Sequence, residues 1–141
     1  MSTHEARRAF ENRSGGVMAI MGALALLTAG AGVAAAQSLV GSWAGAGTII
    51  YPSGEKERAR CRATFRASGG GGVSMHAVCA TASARVIQNA DLSRLTSSTY
   101  AGEFYNTEYG IQGSIRIKVQ GNKLSASLSG GGGSAHFSLS R

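Results

Sequence analysis

Residues 111–140 read IQGSIRIKVQ GNKLSASLSG GGGSAHFSLS, and this stretch decides the fold. Ile111, Gly113, Ile115, Ile117 and Val119 alternate with Gln112, Ser114, Arg116, Lys118 and Gln120. A period of two marks a strand with one buried face, because successive side chains point to opposite sides. Gly121-Asn122 then offers a two-residue turn of favoured composition. Folding the chain back there sets Val119 opposite Leu124, Ile117 opposite Ala126 and Ile115 opposite Leu128. Folding it again at Gly130–Gly133 sets Leu128 opposite Ala135, Ala126 opposite Phe137 and Leu124 opposite Leu139. Apolar meets apolar in every pair. A slip of one residue turns each set outward, so the registers support one another.

The same reading extends toward the N-terminus. Ser98 to Tyr105 alternates with Tyr100, Gly102 and Phe104 on one side, and Asn106 to Gly110 reads as a loop. Thr81 to Thr96 is the least patterned part. Arg85–Gln88 suits a short strand, Asn89-Ala90-Asp91 a turn, and Leu92 to Leu95 a loop or one helical turn.

Further back, Glu55 to Ala67 has two contrasting faces. Odd positions carry Ala59, Cys61, Ala63, Phe65 and Ala67; even positions carry Lys56, Arg58, Arg60, Arg62 and Arg66 around Thr64. Ser68 and four glycines turn the chain, and Val73, Met75, Ala77 and Cys79 continue the inner side. A hairpin centred on Gly70 sets Cys61 opposite Cys79, Ala63 opposite Ala77 and Phe65 opposite Met75. Opposed Cα atoms on paired strands lie within disulfide reach, so a Cys61–Cys79 disulfide is predicted. Leu39 to Tyr51 is a further strand with Trp43, Ile49 and Tyr51 on one parity. Gly45 and Gly47 mark a bend or a close backbone approach, and Pro52-Ser53-Gly54 is a turn signal.

The expected fold is all-β: an antiparallel up-and-down meander of seven or eight strands closed into a small barrel. The alternative is a two-sheet sandwich. Eight strands leave an interior wide enough for side chains or for one small ligand.

The N-terminus reads as an address. Residues 1–36 combine an arginine-bearing polar start, an apolar run from Val17 to Val33 and Ala34-Ala35-Ala36 as a cleavage site, the layout of a secretory signal. One exported domain, 37–141, is then expected, periplasmic or secreted. The competing reading is an inner-membrane anchor through 17–36, long enough to span, and Arg7-Arg8 with Phe10 hints at twin-arginine export. An even pair of cysteines in an exported chain fits a disulfide. The chain carries a formal charge of +7. Three arginines and two glutamates precede Gln37, so +6 belongs to the exported part. That charge favours anionic partners.

Gly41-Ser42-Trp43 resembles the G-x-W opening of lipocalin- and avidin-type barrels, which implies a ligand-holding barrel. The layout W-x-G-x-G, Arg60-Cys61-Arg62-Ala63, a glycine-rich loop and a second cysteine, spanning Gly41 to Cys79, resembles a group of small uncharacterised exported proteins of alphaproteobacteria, which brings no activity with it. Small bacterial barrel inhibitors of proteases share a tryptophan strand and a disulfide, at a different spacing.

Two candidate sites follow. Trp43, Tyr51, Phe65, Met75, Tyr100 and Phe104 are candidates to line a pocket for a small apolar ligand, with space left beside Gly45, Gly47, Ala59 and Ala63. Glu55 and Glu57, of inward parity near a strand end, are expected at its rim. Lys56, Arg58, Arg60, Arg62 and Arg66 form a candidate anion-binding face toward an anionic envelope component. Without interleaved aromatics this face does not suit single-stranded nucleic acid, and no specific nucleic acid is expected. Catalysis is not expected. His76 and His136 fall on outward faces, and neither a G-x-S-x-G nor an H-E-x-x-H motif occurs. No metal and no cofactor is implied. The expected function is a non-enzymatic binding protein, with a protease inhibitor or an envelope-associated module as the alternative.

Overall fold

The computed structural model describes residues 38–141. The signal and anchor readings of 1–36 therefore fall outside the described residues. Among these, no helix is long and apolar enough to cross a membrane.

Eight antiparallel strands follow in chain order: β1 (Gly41–Ile50), β2 (Lys56–Gly69), β3 (Gly72–Ala80), β4 (Arg85–Arg94), β5 (Thr99–Asn106), β6 (Ile111–Gln120), β7 (Lys123–Gly130) and β8 (Gly133–Ser140). Each pairs with the next, and β1 pairs with β8, so the sheet closes on itself. Closure excludes the two-sheet sandwich and leaves no strand at an edge of the sheet, although Arg85–Gln88 of β4 runs on without a β5 partner. All three predicted hairpin registers are present: Cys61 faces Cys79, Ile117 faces Ala126 and Ala126 faces Phe137. Near the first glycine loop the pairing shifts by a bulge between Ala67 and Gly69. The turn itself is Gly70-Gly71, both at positive φ, where a side chain is strained.

The least patterned segment holds the main correction. Asn89-Ala90-Asp91 is not a turn, and Leu92 is not in a loop or helix; all lie within the ten-residue strand β4. Its inward file is Val86, Gln88, Ala90 and Leu92. Two of these four are polar or small, so the alternation is faint, and Asn and Asp disfavour strands on propensity alone. Pairing to β3 over Arg85–Ser93 and to β5 over Asn89–Arg94 overrides that preference. Asn106, expected in a loop, ends β5 and is buried.

Up-and-down connectivity gives the barrel two distinct ends. The N-terminal residues 38–40 and the turns at 70–71, 95–98 and 121–122 share one end, together with Arg141. The connections 51–55, 81–84, 107–110 and 131–132 share the other. At the first end Leu39, Trp43, Phe65, Tyr100, Ile117 and Val119 are all 2% exposed or less. The Trp43 indole N–H donates to the Leu39 carbonyl at 2.9 Å. The Arg141 guanidinium lies 4.4 Å from the Trp43 ring centroid and donates to the Val40 carbonyl at 3.1 Å. Arg94 covers Tyr100 in the same way, 5.5 Å from its centroid, and donates to its hydroxyl. Two cations thus lie over the buried aromatics and close this end.

A candidate ligand cavity at the open end

The opposite end is not filled. A cavity of about 150 Å³ lies there between Ile49, Tyr51, Val86, Phe104, Ala135 and Phe137. Pro52, Ile111 and Gly131, all exposed, also line it, so it reaches solvent between the end loops. A smaller apolar void of about 30 Å³ lies deeper in the barrel, against Phe65, Met75 and Ile115 among others. Cys79, Gln88, Leu128 and Phe137 line both spaces and so form the partition between them.

The local sequence explains the opening. At the closed end the inward positions carry Trp, Tyr, Phe, Ile and Val. Toward the open end they become Cys79, Gln88, Gly113, Gly130 and Ala135. A barrel of eight strands needs large side chains to fill its interior, and this end supplies too little volume. Gly113 and Gly130 face each other across β6 and β7. A Cβ on Gly113 would collide with the Ser129 carbonyl and the Phe104 ring, so glycine here lets backbone and ring approach closely.

The six candidate pocket residues do not share one cavity. Tyr51 and Phe104 line the open-end cavity. Phe65 and Met75 line the deeper void. Trp43 and Tyr100 line neither and belong to the closed end. Gly45 and Gly47 do not leave the expected space either. A Cβ there would meet the carbonyls of Ser138 and His136, because β8 crosses β1 closely at both positions. Val86, Pro52 and the Gly130–Gly133 turn were not expected in the wall; the rule that successive loops alternate between the two ends would have placed them there.

The rim carries one ordered polar cluster. The Tyr51 hydroxyl donates to Glu57 at 2.6 Å, and the Ser83 hydroxyl donates to both Glu57 oxygens at 2.9 and 3.0 Å. These donors, Tyr51 first, hold the Glu57 carboxyl below its ordinary value. The same hydrogen bond holds the Tyr51 hydroxyl above its own ordinary value. At neutral pH Glu57 is therefore ionised and Tyr51 protonated, which fixes the tyrosine ring as a wall of the mouth. Because the carboxyl is depressed in the fold, this pairing is fully present above the ordinary carboxylate range and is lost as pH falls through the folded value. Glu55, the other expected rim carboxylate, is exposed and outside the strand.

One polar atom inside stands out. The side-chain carbonyl oxygen of Gln88 is buried and has no hydrogen-bond partner. The Asn106 amide nitrogen is likewise unpaired, but its carbonyl accepts the Tyr109 N–H at 3.0 Å and so ties down the 107–110 turn.

The disulfide joins Cys61 and Cys79 directly across β2 and β3, with Cα atoms 4.1 Å apart. Both cysteines are buried, and Cys79 contributes to the cavity wall. On the outside of β2, Lys56, Arg58, Arg60, Arg62 and Arg66 are all exposed, in one file. Their cross-strand neighbours are uncharged: Thr48, Ala46 and Ala44 on β1, Ala80, Val78 and Ser74 on β3.

No protein-family model matches the chain, and no curated protein matches it. Solved structures do. A redesigned β-barrel, mFAP1, bound to DFHBI superposes with a TM-score of 0.63 at 15% identity, covering 76% of this chain and 98% of that one. A second redesigned β-barrel gives a TM-score of 0.58 at 11% identity, covering 73% of this chain and 90% of that one. A fluorescence-activating barrel designed de novo gives 0.58 at 12% identity, covering 75% and 95%. At these identities the likeness is one of fold, and it places this chain among β-barrels.

Proposed function

We propose that this protein is an exported, periplasmic or secreted binding protein that holds a compact apolar ligand in the open-end cavity and does not transform it. The observation that carries this reading is the cavity of about 150 Å³, walled by Ile49, Val86, Phe104 and Phe137, in a barrel whose other end is packed shut. An apolar cavity of about that size holds a benzene-sized molecule. The redesigned barrel solved with DFHBI bound is a precedent for a small molecule held by this fold. The disulfide supports export, because such bonds persist in oxidising compartments. Toluene titrated into the labelled protein and followed by amide NMR is expected to give saturable shifts at Val86, Phe104 and Ala135 and none at the closed end. Shifts that never saturate, or that spread evenly over the surface, overturn the reading.

The basic file supports a second, separate reading: attachment to an anionic envelope surface. Five cations on one strand, with no carboxylate directly across on either neighbour, keep their charge available. An R58Q/R60Q/R62Q variant is expected to lose about 10²-fold in affinity for vesicles of anionic phospholipid, at about 1 kcal/mol per basic residue near such a surface. R116Q/K118Q/K123Q removes the same charge from β6 and β7 and is expected to lose far less. Equal losses would mean that net charge alone is at work.

A further inference from the structure

Gln88, half-buried, occupies an inward position of β4 between Val86 and Ala90, on a barrel interior that is otherwise mostly apolar or small. Its neighbours at the partition are Cys79, Leu128 and Phe137, none of which pairs with its carbonyl. Buried polar groups in folded proteins are nearly always hydrogen-bonded, and one without a partner is disfavoured. Leucine or methionine would fill the same place without that cost. Gln88 lines both the open-end cavity and the deeper void, so its amide stands at the floor; its oxygen is enclosed there and meets a ligand once the amide turns toward the open end.

We propose that Gln88 is the specificity-determining contact of this site, and that the ligand is a benzene-sized apolar body carrying a single neutral O–H or N–H donor. This rests on the open-end cavity being a ligand site. The apolar walls take the ring or branched chain. The Gln88 oxygen accepts the ligand's one donor hydrogen. A charged group does not fit the floor, because the partition offers no counter-charge. Phenols, small alcohols and single-ring N–H heterocycles belong to the class; carboxylates and ammonium compounds do not.

Toluene and phenol differ by the donor alone and make the test. Calorimetric or NMR titration of both is carried out on the full chain with its disulfide intact, for the natural protein and for Q88L. Phenol affinity relative to toluene is expected to fall about tenfold in Q88L, the usual worth of one net hydrogen bond. Toluene binding by Q88L shows that the variant is folded and the cavity open. Should Q88L not take toluene, Q88M, closer in shape, is compared instead. If both ligands bind the natural protein and the ratio does not move, the assignment of Gln88 is overturned while the cavity reading stands. If toluene does not bind the natural protein at all, the cavity reading itself has failed.

Discussion

Replacing Trp43 by alanine is expected to destabilise the barrel by about 3–5 kcal/mol, the range for truncating a buried aromatic of this size. Trp43 is 2% exposed and sits where the first and last strands meet. Its indole N–H holds the Leu39 carbonyl, and its ring carries the Arg141 guanidinium. Arg141 is tied in turn to Asn122 through its backbone N–H. Removing the ring leaves a void under Leu39, frees a buried carbonyl and releases the chain terminus together. Urea denaturation checks the magnitude, and a loss under about 1 kcal/mol would mean that the closed end is not packed as described. Toluene affinity of the folded W43A protein is expected to stay unchanged, since Trp43 lies at the far end from the cavity. A parallel loss of affinity would contradict the separation of the two ends.

Breaking the disulfide has the next largest expected effect. A C61A/C79A variant, or the reduced protein, is expected to lose about 3 kcal/mol, the chain-entropy value for a closed loop of this length. The sequence separation is 18 residues. The strands that the bond joins are already paired along their length, so the folded barrel is expected to keep its registers without it. The bond therefore acts mainly by restricting the unfolded chain. Paired denaturation curves with and without reductant measure it, and coincident midpoints would show that the cross-link contributes nothing.

How far the sequence discloses this protein depends on the residues at inward positions. β6, β7 and β8 are readable because Ile, Val, Leu and Phe alternate without interruption and glycine or asparagine marks each reversal. β2 and β3 are readable because arginines on one face contrast with small apolar residues on the other. β4 is not, because Gln88 and Ala90 replace the large apolar residues that would have announced it. That same Gln88 lies on the cavity floor, so the feature that hides the strand helps to make the site. Two of the six pocket candidates line the cavity. Tyr51 and Phe104 belong to the cavity, but aromatic character alone cannot say at which end of a barrel a residue sits. Trp43, near the start of β1, and Tyr51, just past its end, are about 26 Å apart at the rise of a strand, and cannot line one small cavity. The charge of the β2 file, by contrast, is fully visible in the sequence, because outward residues need no packing partner.

The open end holds a ligand-sized cavity bounded by Val86. The most direct measurement compares toluene binding by the natural protein and by V86W. Val86 is partly exposed at the mouth and lies across from Cys79, so an indole there fills the cavity without disturbing the closed end. Saturable binding is expected for the natural protein, with shifts confined to Val86, Phe104, Ala135 and their neighbours, and no saturable binding for a V86W protein whose other amide signals are unchanged. Equal binding by both proteins would place the ligand elsewhere and contradict this expectation.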